Sequence, residues 1–112
     1  MTEILLVCDE NGLFKSLSAS GHAGFSTKGK DIVCAGISML LDTAMEVLLK
    51  TEGIVLEKEI ACRGKLAFHV SSFESVVPVE ERLKCIADFI RQGINSLTKD
   101  YPAYVLLREI KQ

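Results

Sequence analysis

The stretch from Ser20 to Ser38 constrains the fold most, because a glycine-punctuated polar segment runs directly into a long apolar one. This change of composition predicts a strand, a loop and then a helix. Asp31 stands at the junction, where its carboxylate can accept a hydrogen bond from a free amide of the first helical turn. With Asp31 as the N-cap, Cys34 takes the third helical position.

Cys34 is the candidate nucleophile, because the positive end of a helix and its free amides favour a thiolate over a thiol. His22 ends the preceding strand-like run, so both side chains can reach one edge of the same sheet. Together they form a plausible pair of nucleophile and general base, with amides of the first helical turn available to an oxyanion. Asp31 is either an N-cap alone or also a carboxylate that orients His22 in a triad. Ser38 either bonds within the site or bonds back to a helix carbonyl.

These residues resemble the pattern of the ribosomal-processing cysteine protease family, usually called Prp. That pattern is a strand ending in Gly-His-Ala, a Gly-rich loop, and Asp-Ile-Val-Cys-Ala followed by a Ser. The positions that carry the resemblance here are Gly21, His22, Ala23, Gly24, Gly29, Asp31, Ile32, Val33, Cys34, Ala35 and Ser38. Chain length and element order also fit a whole family member. Gly36 departs from the pattern, which usually has Ala there.

The resemblance implies a cysteine endopeptidase that removes the N-terminal extension of a ribosomal large-subunit protein precursor, cleaving after an aromatic residue. It makes Cys34 the nucleophile and His22 the general base and acid. Gly21, Gly24 and Gly29 would belong to a mobile substrate loop, either a plain surface loop or a lid that orders on substrate. Two alternatives stay open. One is a non-catalytic ribosome-associated or protein-binding module, and the other is a thiol-dependent transferase or hydrolase acting on small molecules.

Charge and cysteine usage narrow the class of protein. Thirteen basic and 15 acidic residues leave a net charge of -2, so direct nucleic-acid binding is not expected. Cys8, Cys34, Cys62 and Cys85 are scattered without a CxxC motif, so neither a metal site nor a cofactor is expected. The N-terminus lacks a basic flank, and no uninterrupted apolar run approaches the ~20 residues of a membrane span. We therefore expect a cytoplasmic protein with free thiols.

Apolar periodicity predicts the element order β-β-α-β-β-α-β, which is typical of a two-layer α+β domain with two helices on a mixed sheet. We expect residues 1–112 to form that one domain. The first hairpin turns at Asn11 and Gly12. Strict alternation along its second strand places the following residues on one face: Phe14, Ser16, Ser18, Ser20 and His22.

The first helix, predicted from Asp31 to about Thr51, carries polar side chains four residues apart. This polar stripe consists of Ser38, Asp42, Glu46 and Lys50, and Cys34 continues it. The remaining apolar surface is wider than one sheet face requires. It predicts a homodimer, with a deeply buried helix as the alternative.

The rest of the chain predicts a second hairpin from Ile54 to Ser71, turning at Arg63 and Gly64. His69 lies on its more polar face and is interpreted as a solvated strand histidine. Pro78 begins the second helix, as proline favours a first-turn position. We expect residues 103–110 to form the last strand.

Overall fold

In the part of the chain that the structure describes, seven helices and strands follow one another in the predicted order β-β-α-β-β-α-β, so the predicted α+β class is confirmed. The computed structural model describes residues 1–27, 31–59 and 64–112. The elements are β1 (Thr2–Cys8), β2 (Phe14–Ser20), α1 (Ile32–Leu49), β3 (Ile54–Glu59), β4 (Lys65–Phe73), α2 (Val77–Asp100) and β5 (Val105–Lys111). The predictions that concern Gly29, Cys62 and Arg63 lie outside the described residues.

The strands form one mixed sheet in the order β3-β4-β2-β1-β5. β1 pairs antiparallel with β2 and parallel with β5, because α2 carries the chain from β4 back to the far edge. β1 therefore has a neighbour on each side, which agrees with its apolar residues on both faces. β2 pairs antiparallel with β4, so the last residue of β2, Ser20, lies opposite the first residue of β4, Lys65. This end of the strand pair lies beside the start of α1.

The predicted placement of Phe14 beside the serines is wrong. Val7 lies opposite Ser16, but Cys8 lies opposite Phe14, so the register shifts by one residue in a β-bulge. The shift turns Phe14 into the core, where it is 1% exposed and its ring stacks on Phe68 with 5.7 Å between centroids. A bulge of this kind cannot be read from alternation alone.

Both helices pack on the sheet through one apolar stripe each. The buried residues of α1 are Val33, Ile37, Leu41, Ala44, Met45 and Leu48. Those of α2 are Val79, Leu83, Ile86, Ala87, Ile90 and Ile94. The predicted polar stripe of α1 is exposed, and Cys34, which continues it, is half-buried. Cys34 therefore lies where the core-facing and solvent-facing sides of the helix meet.

By length and composition alone, α1 would be able to cross a membrane, with a mean hydropathy of 1.9 over 18 residues. In the fold, 33% of these residues are buried, and they pack in the core with the sheet and α2. The apolar composition of α1 is therefore also the one expected of a helix that packs in the core of a domain. Other apolar side chains of α1 remain on the surface, the most exposed being Met39 at 71%.

Two glycines, Gly36 and Gly93, lie where α1 crosses α2. Replacing them by alanine should change the stability of the fold in opposite directions. A Cβ on Gly93 would overlap the Leu40 side chain, whereas one on Gly36 would lie 3.4 Å from Leu97 Cδ2, an ordinary contact. Gly36→Ala should stabilise the fold by up to about 1 kcal/mol through helix propensity. Gly93→Ala gains the same propensity, but overpacking costs about 1–3 kcal/mol, so we expect a net loss. Urea unfolding measures the free energy of unfolding of both variants, and equal values would contradict this packing.

Candidate active site

Asp31 caps α1, as the sequence predicts, and it also ties down the preceding loop. Its backbone is extended, and Oδ1 accepts hydrogen bonds from the N–H groups of Val33 and Cys34, each at 3.0 Å. Oδ2 accepts one from the N–H of Phe25, also at 3.0 Å. One carboxylate thus joins the segment after His22 to the first turn of the helix that carries Cys34.

The pKa of Asp31 lies below the ordinary carboxyl value of 3.8. Partial burial on its own would raise the pKa, but hydrogen bonds from the backbone of Cys34, Phe25 and Ser26 and from the Cys34 thiol outweigh it. These bonds favour the charged carboxylate.

A lowered pKa in the folded protein makes the Asp31 cap sensitive to acid. Its contribution to stability should be complete above pH 3.8 and lost as the pH falls through the lowered pKa. Asp31→Asn keeps the oxygen that caps Val33 and Cys34 and has no titrating group, but its amide nitrogen cannot accept the N–H of Phe25, so at neutral pH it should be less stable than the wild type by about 1 kcal/mol. Thermal unfolding against pH compares the two proteins. The wild type should lose more stability in acid, and parallel curves would contradict the role of these bonds.

Cys34 occupies the third position of α1 and is half-buried. Its Sγ atom accepts a hydrogen bond from the backbone N–H of Ala23 at 3.3 Å. The residue directly after His22 is therefore bound to the sulfur. This contact fixes the end of the β2 segment against the start of α1, and it brings one backbone donor to the candidate nucleophile.

His22 does not continue the alternation of β2, because the strand ends at Ser20. Gly21 follows with a φ of +92°, a left-handed conformation that glycine adopts without a Cβ clash, and the chain changes direction there. The prediction that His22 emerges on the serine face of the strand is therefore wrong. The imidazole is exposed and lies beside Gly64, the residue before β4, near the place that a side chain there would occupy.

His22 and Cys34 open onto the same cavity of about 310 Å³, between α1 and the ends of β2 and β4. Its lining residues are Thr2, Ala19, Gly21, His22, Cys34, Ile37, Ser38, Leu41, Asp42, Gly64, Lys65 and Leu66. The structure therefore brings Gly21 and Ser38 of the predicted site to the cavity. Gly24 does not line it, and Asp31 lies behind Cys34 as its cap.

An aromatic cluster that the sequence analysis missed holds Phe25, in the segment that follows His22. The ring of Phe25 meets those of Tyr101 and Tyr104 edge to face, with centroids 5.2 and 5.3 Å apart. Both tyrosines lie between α2 and β5, more than 70 residues away in the sequence. Aromatic pairs of this geometry contribute about 0.5–1.5 kcal/mol each beyond the area they bury.

The second histidine, His69, lies apart from this cavity. Its Nε2 is 3.2 Å from Glu57 on the neighbouring strand, and the side chain is 41% exposed. It pairs across the sheet with Ser16, not with a cysteine. These contacts agree with the interpretation of His69 as a solvated strand histidine.

A cysteine at the start of a capped helix and a histidine on the same cavity form the arrangement of a thiol-dependent hydrolase. The family model described as cysteine protease Prp matches residues 1–106. The chain therefore belongs to the Prp cysteine protease family. The resemblance identified from the sequence is thus confirmed over nearly the whole chain.

Similar proteins agree with this assignment. The ribosomal processing cysteine protease Prp of Mycoplasma pneumoniae is 30% identical over 89 residues, which are 80% of this chain and 81% of that protein. The fold is similar to that of the ribosomal processing protease Prp from S. aureus, which was solved with a covalently linked product peptide. The TM-score is 0.83 at 17% sequence identity, and the superposition covers 98% of this chain and 100% of that one. The fold is also similar to that of SMU.848 from Streptococcus mutans, with a TM-score of 0.72 and 22% identity. That superposition covers 100% of this chain and 96% of the other.

Proposed function

We propose that this protein is a cysteine endopeptidase that removes the N-terminal extension of a ribosomal large-subunit protein precursor, and that residues 1–112 act as one catalytic domain. Family membership supports the class of reaction, and the name of the Mycoplasma pneumoniae relative supports a ribosomal substrate. The observation that carries the residue assignment is the opening of Cys34 and His22 onto one cavity at the start of α1.

The reaction proceeds in two halves through an acyl-enzyme. His22 takes the proton of Cys34, and the sulfur attacks the carbonyl carbon of the scissile peptide bond. As the C–N bond breaks, His22 gives that proton to the leaving amine, and a thioester to Cys34 remains. A water then attacks the thioester while His22 takes its proton. The C–S bond breaks, His22 returns its proton to the sulfur, and the product leaves as a carboxylic acid that releases its own proton to solvent.

We assign the oxyanion donor to the backbone N–H of Ala23, not to the first turn of the helix. The N–H groups of Val33 and Cys34 already donate to Asp31, so they are not free for a new acceptor. The N–H of Ala23 points at Sγ of Cys34, next to the place where the attacked carbonyl carbon would be bound. In the tetrahedral intermediate this donor would move from sulfur to the neighbouring oxyanion.

Asp31 acts in this proposal as a cap and loop anchor, not as a third catalytic residue. Both of its oxygens already accept backbone N–H groups, and these bonds position Cys34 directly. Asp31→Asn keeps the acceptor for Val33 and Cys34 and loses only the bond from Phe25, so it should cleave substrate with a small loss of rate. A loss of several orders of magnitude would assign Asp31 to a triad.

Cavity lining supports a substrate with an apolar side chain beside the scissile bond. Ile37, Leu41 and Leu66 provide apolar walls near Cys34, and they suit the aromatic residue that the family resemblance implies. Ser38 lies one turn from Cys34 on the same cavity, where its hydroxyl can hydrogen-bond to the bound peptide. Gly21 and the residues that directly follow it would then border the bound peptide as the start of a substrate loop.

Incubation with a peptide that spans the extension of the precursor separates this function from its alternatives. A protease yields two fragments whose masses sum to that of the peptide plus one water. A protein-binding module leaves the peptide intact, although it binds it. A hydrolase or transferase acting on small molecules turns over an activated ester or thioester but does not cleave the peptide.

We also propose that the protein is a homodimer in the cytoplasm. Ile32, Met39 and Val47 share one face of α1, and a second copy would cover this exposed apolar surface. Sedimentation at tens of micromolar, well above the ~1 μM dissociation constant of a modest interface, should show a dimer. Met39→Glu should give monomers. Val77→Glu, which changes an equally exposed residue of α2, should not, and a wild-type monomer would contradict the dimer.

A further inference from the structure

We propose that Gly64 is a positioning residue for His22, and that the absence of its side chain sets where the imidazole lies. This inference rests on the proposed function, because it assigns Gly64 a role through the general base. Gly64 lies 42 positions after His22 in the sequence, and none of the patterns around Cys34 includes it.

The first observation is that the imidazole lies where a side chain at position 64 would begin. A Cβ on Gly64 would lie 3.0 Å from Nε2 of His22, 3.2 Å from Cε1 and 3.6 Å from Cδ2. The edge of the ring that carries Nε2 therefore faces the side of Gly64 that lacks a side chain. A methyl group there would push the ring away and shield Nε2 from a hydrogen-bond partner.

The second observation is an independent link between the same two segments. The N–H of Gly21 donates to the carbonyl of Gly64 at 2.8 Å, which extends the pairing of β2 with β4 by one residue beyond Ser20 and Lys65. The residue before His22 is thus bound to Gly64, and the His22 ring lies beside the same glycine. Gly64 therefore limits the position of the imidazole at the edge of the cavity that both His22 and Cys34 line.

The chain offers a matched control for this position. Gly64 has a φ of +82° and Gly12 a φ of +83°, so alanine meets the same left-handed backbone penalty at both. A Cβ on Gly12 would have no atom within 4 Å, and Gly12 lies in the β1–β2 turn, at the other end of β2 from His22. The difference between Gly64→Ala and Gly12→Ala therefore isolates the contact with His22.

Peptide cleavage and NMR of the histidine rings test the proposal together. Gly64→Ala should lower kcat by about 10²-fold relative to Gly12→Ala, with little change in KM, because a displaced general base impairs the chemistry more than peptide binding. The ring signals of His22 should shift in Gly64→Ala, and those of His69 should not. Gly12→Ala should leave both histidines unchanged. Equal kcat values and unshifted His22 signals would overturn the role of Gly64.

Two further results keep the inference testable and separate it from the proposed function. If Gly64→Ala does not fold, the wild-type protein provides the test. Nuclear Overhauser contacts between the His22 ring and the Gly64 Hα protons are then expected, and their absence would overturn the proposal. If His22→Ala abolishes cleavage but Gly64→Ala behaves like Gly12→Ala, His22 is catalytic and Gly64 does not position it. If the His22 signals shift without any loss of kcat, the contact with Gly64 does not position the general base, which overturns this inference alone. A wild-type rate of His22→Ala would overturn the proposed function itself.

Discussion

Replacing Cys34 by alanine should abolish cleavage of the precursor peptide, lowering kcat by at least about 10³-fold, because the substitution removes the atom that forms the acyl-enzyme. The fold should persist. Cys34 is half-buried at the edge of α1, and its backbone N–H still donates to Asp31 after the substitution. The variant should therefore bind the peptide with near wild-type affinity, as titration calorimetry would measure.

Cys85 provides the control for this substitution. It is an exposed free cysteine on α2, remote in sequence from the proposed site and absent from the cavity lining. Cys85→Ala should retain the wild-type rate, which separates loss of the nucleophile from a general loss of a thiol. If Cys34→Ala still cleaves at the wild-type rate, another nucleophile or a non-catalytic role must replace the assignment.

Replacing His22 by alanine should be nearly as damaging, with an expected loss in kcat of about 10²–10⁴-fold, the usual contribution of general acid–base catalysis. Cys34 and His22 act on the same proton, so their effects should not add. The double variant should be no slower than Cys34→Ala alone. Single-turnover measurements of the three variants test this, and additive losses would indicate that the two residues act in separate steps.

The matched control for His22 is the other histidine of the chain. His69→Gln removes an imidazole that pairs with Glu57 on a sheet strand and does not line the cavity. Cleavage by this variant should equal that of the wild type. A loss as large as that of His22→Ala would indicate that the two histidine assignments are reversed.

The sequence predicted those parts of the fold that depend on local chemistry. Asp31 caps α1 because a short carboxylate before an apolar helical run has few better partners than the first amides. Element order followed from the period of the apolar residues, and the polar stripe of α1 followed from its spacing of four. The family resemblance rested on the same local pattern, because His22, Asp31 and Cys34 lie within thirteen residues.

The parts that the sequence did not predict depend on contacts between distant segments. Phe14 turns into the core because of a bulge in its pairing with β1, and alternation carries no information about pairing irregularities. Gly64 and Tyr101 meet the loop that follows β2 through the pairing of β2 with β4 and the placement of α2, which bring together residues far apart in the sequence. The bond from the N–H of Ala23 to Cys34 is likewise a tertiary contact between a loop and a helix. No local spacing indicates any of them.

The measurement that tests the central claim most directly is the location of the acyl group during turnover. The protein is mixed with the precursor peptide, quenched in acid within one turnover, digested, and analysed by mass spectrometry. The account predicts that the N-terminal fragment of the substrate is attached as a thioester to the peptide that contains Cys34, and that His22→Ala forms this adduct more slowly. Attachment to Cys8, Cys62 or Cys85, or cleavage that proceeds without any protein adduct at the earliest times, would contradict it.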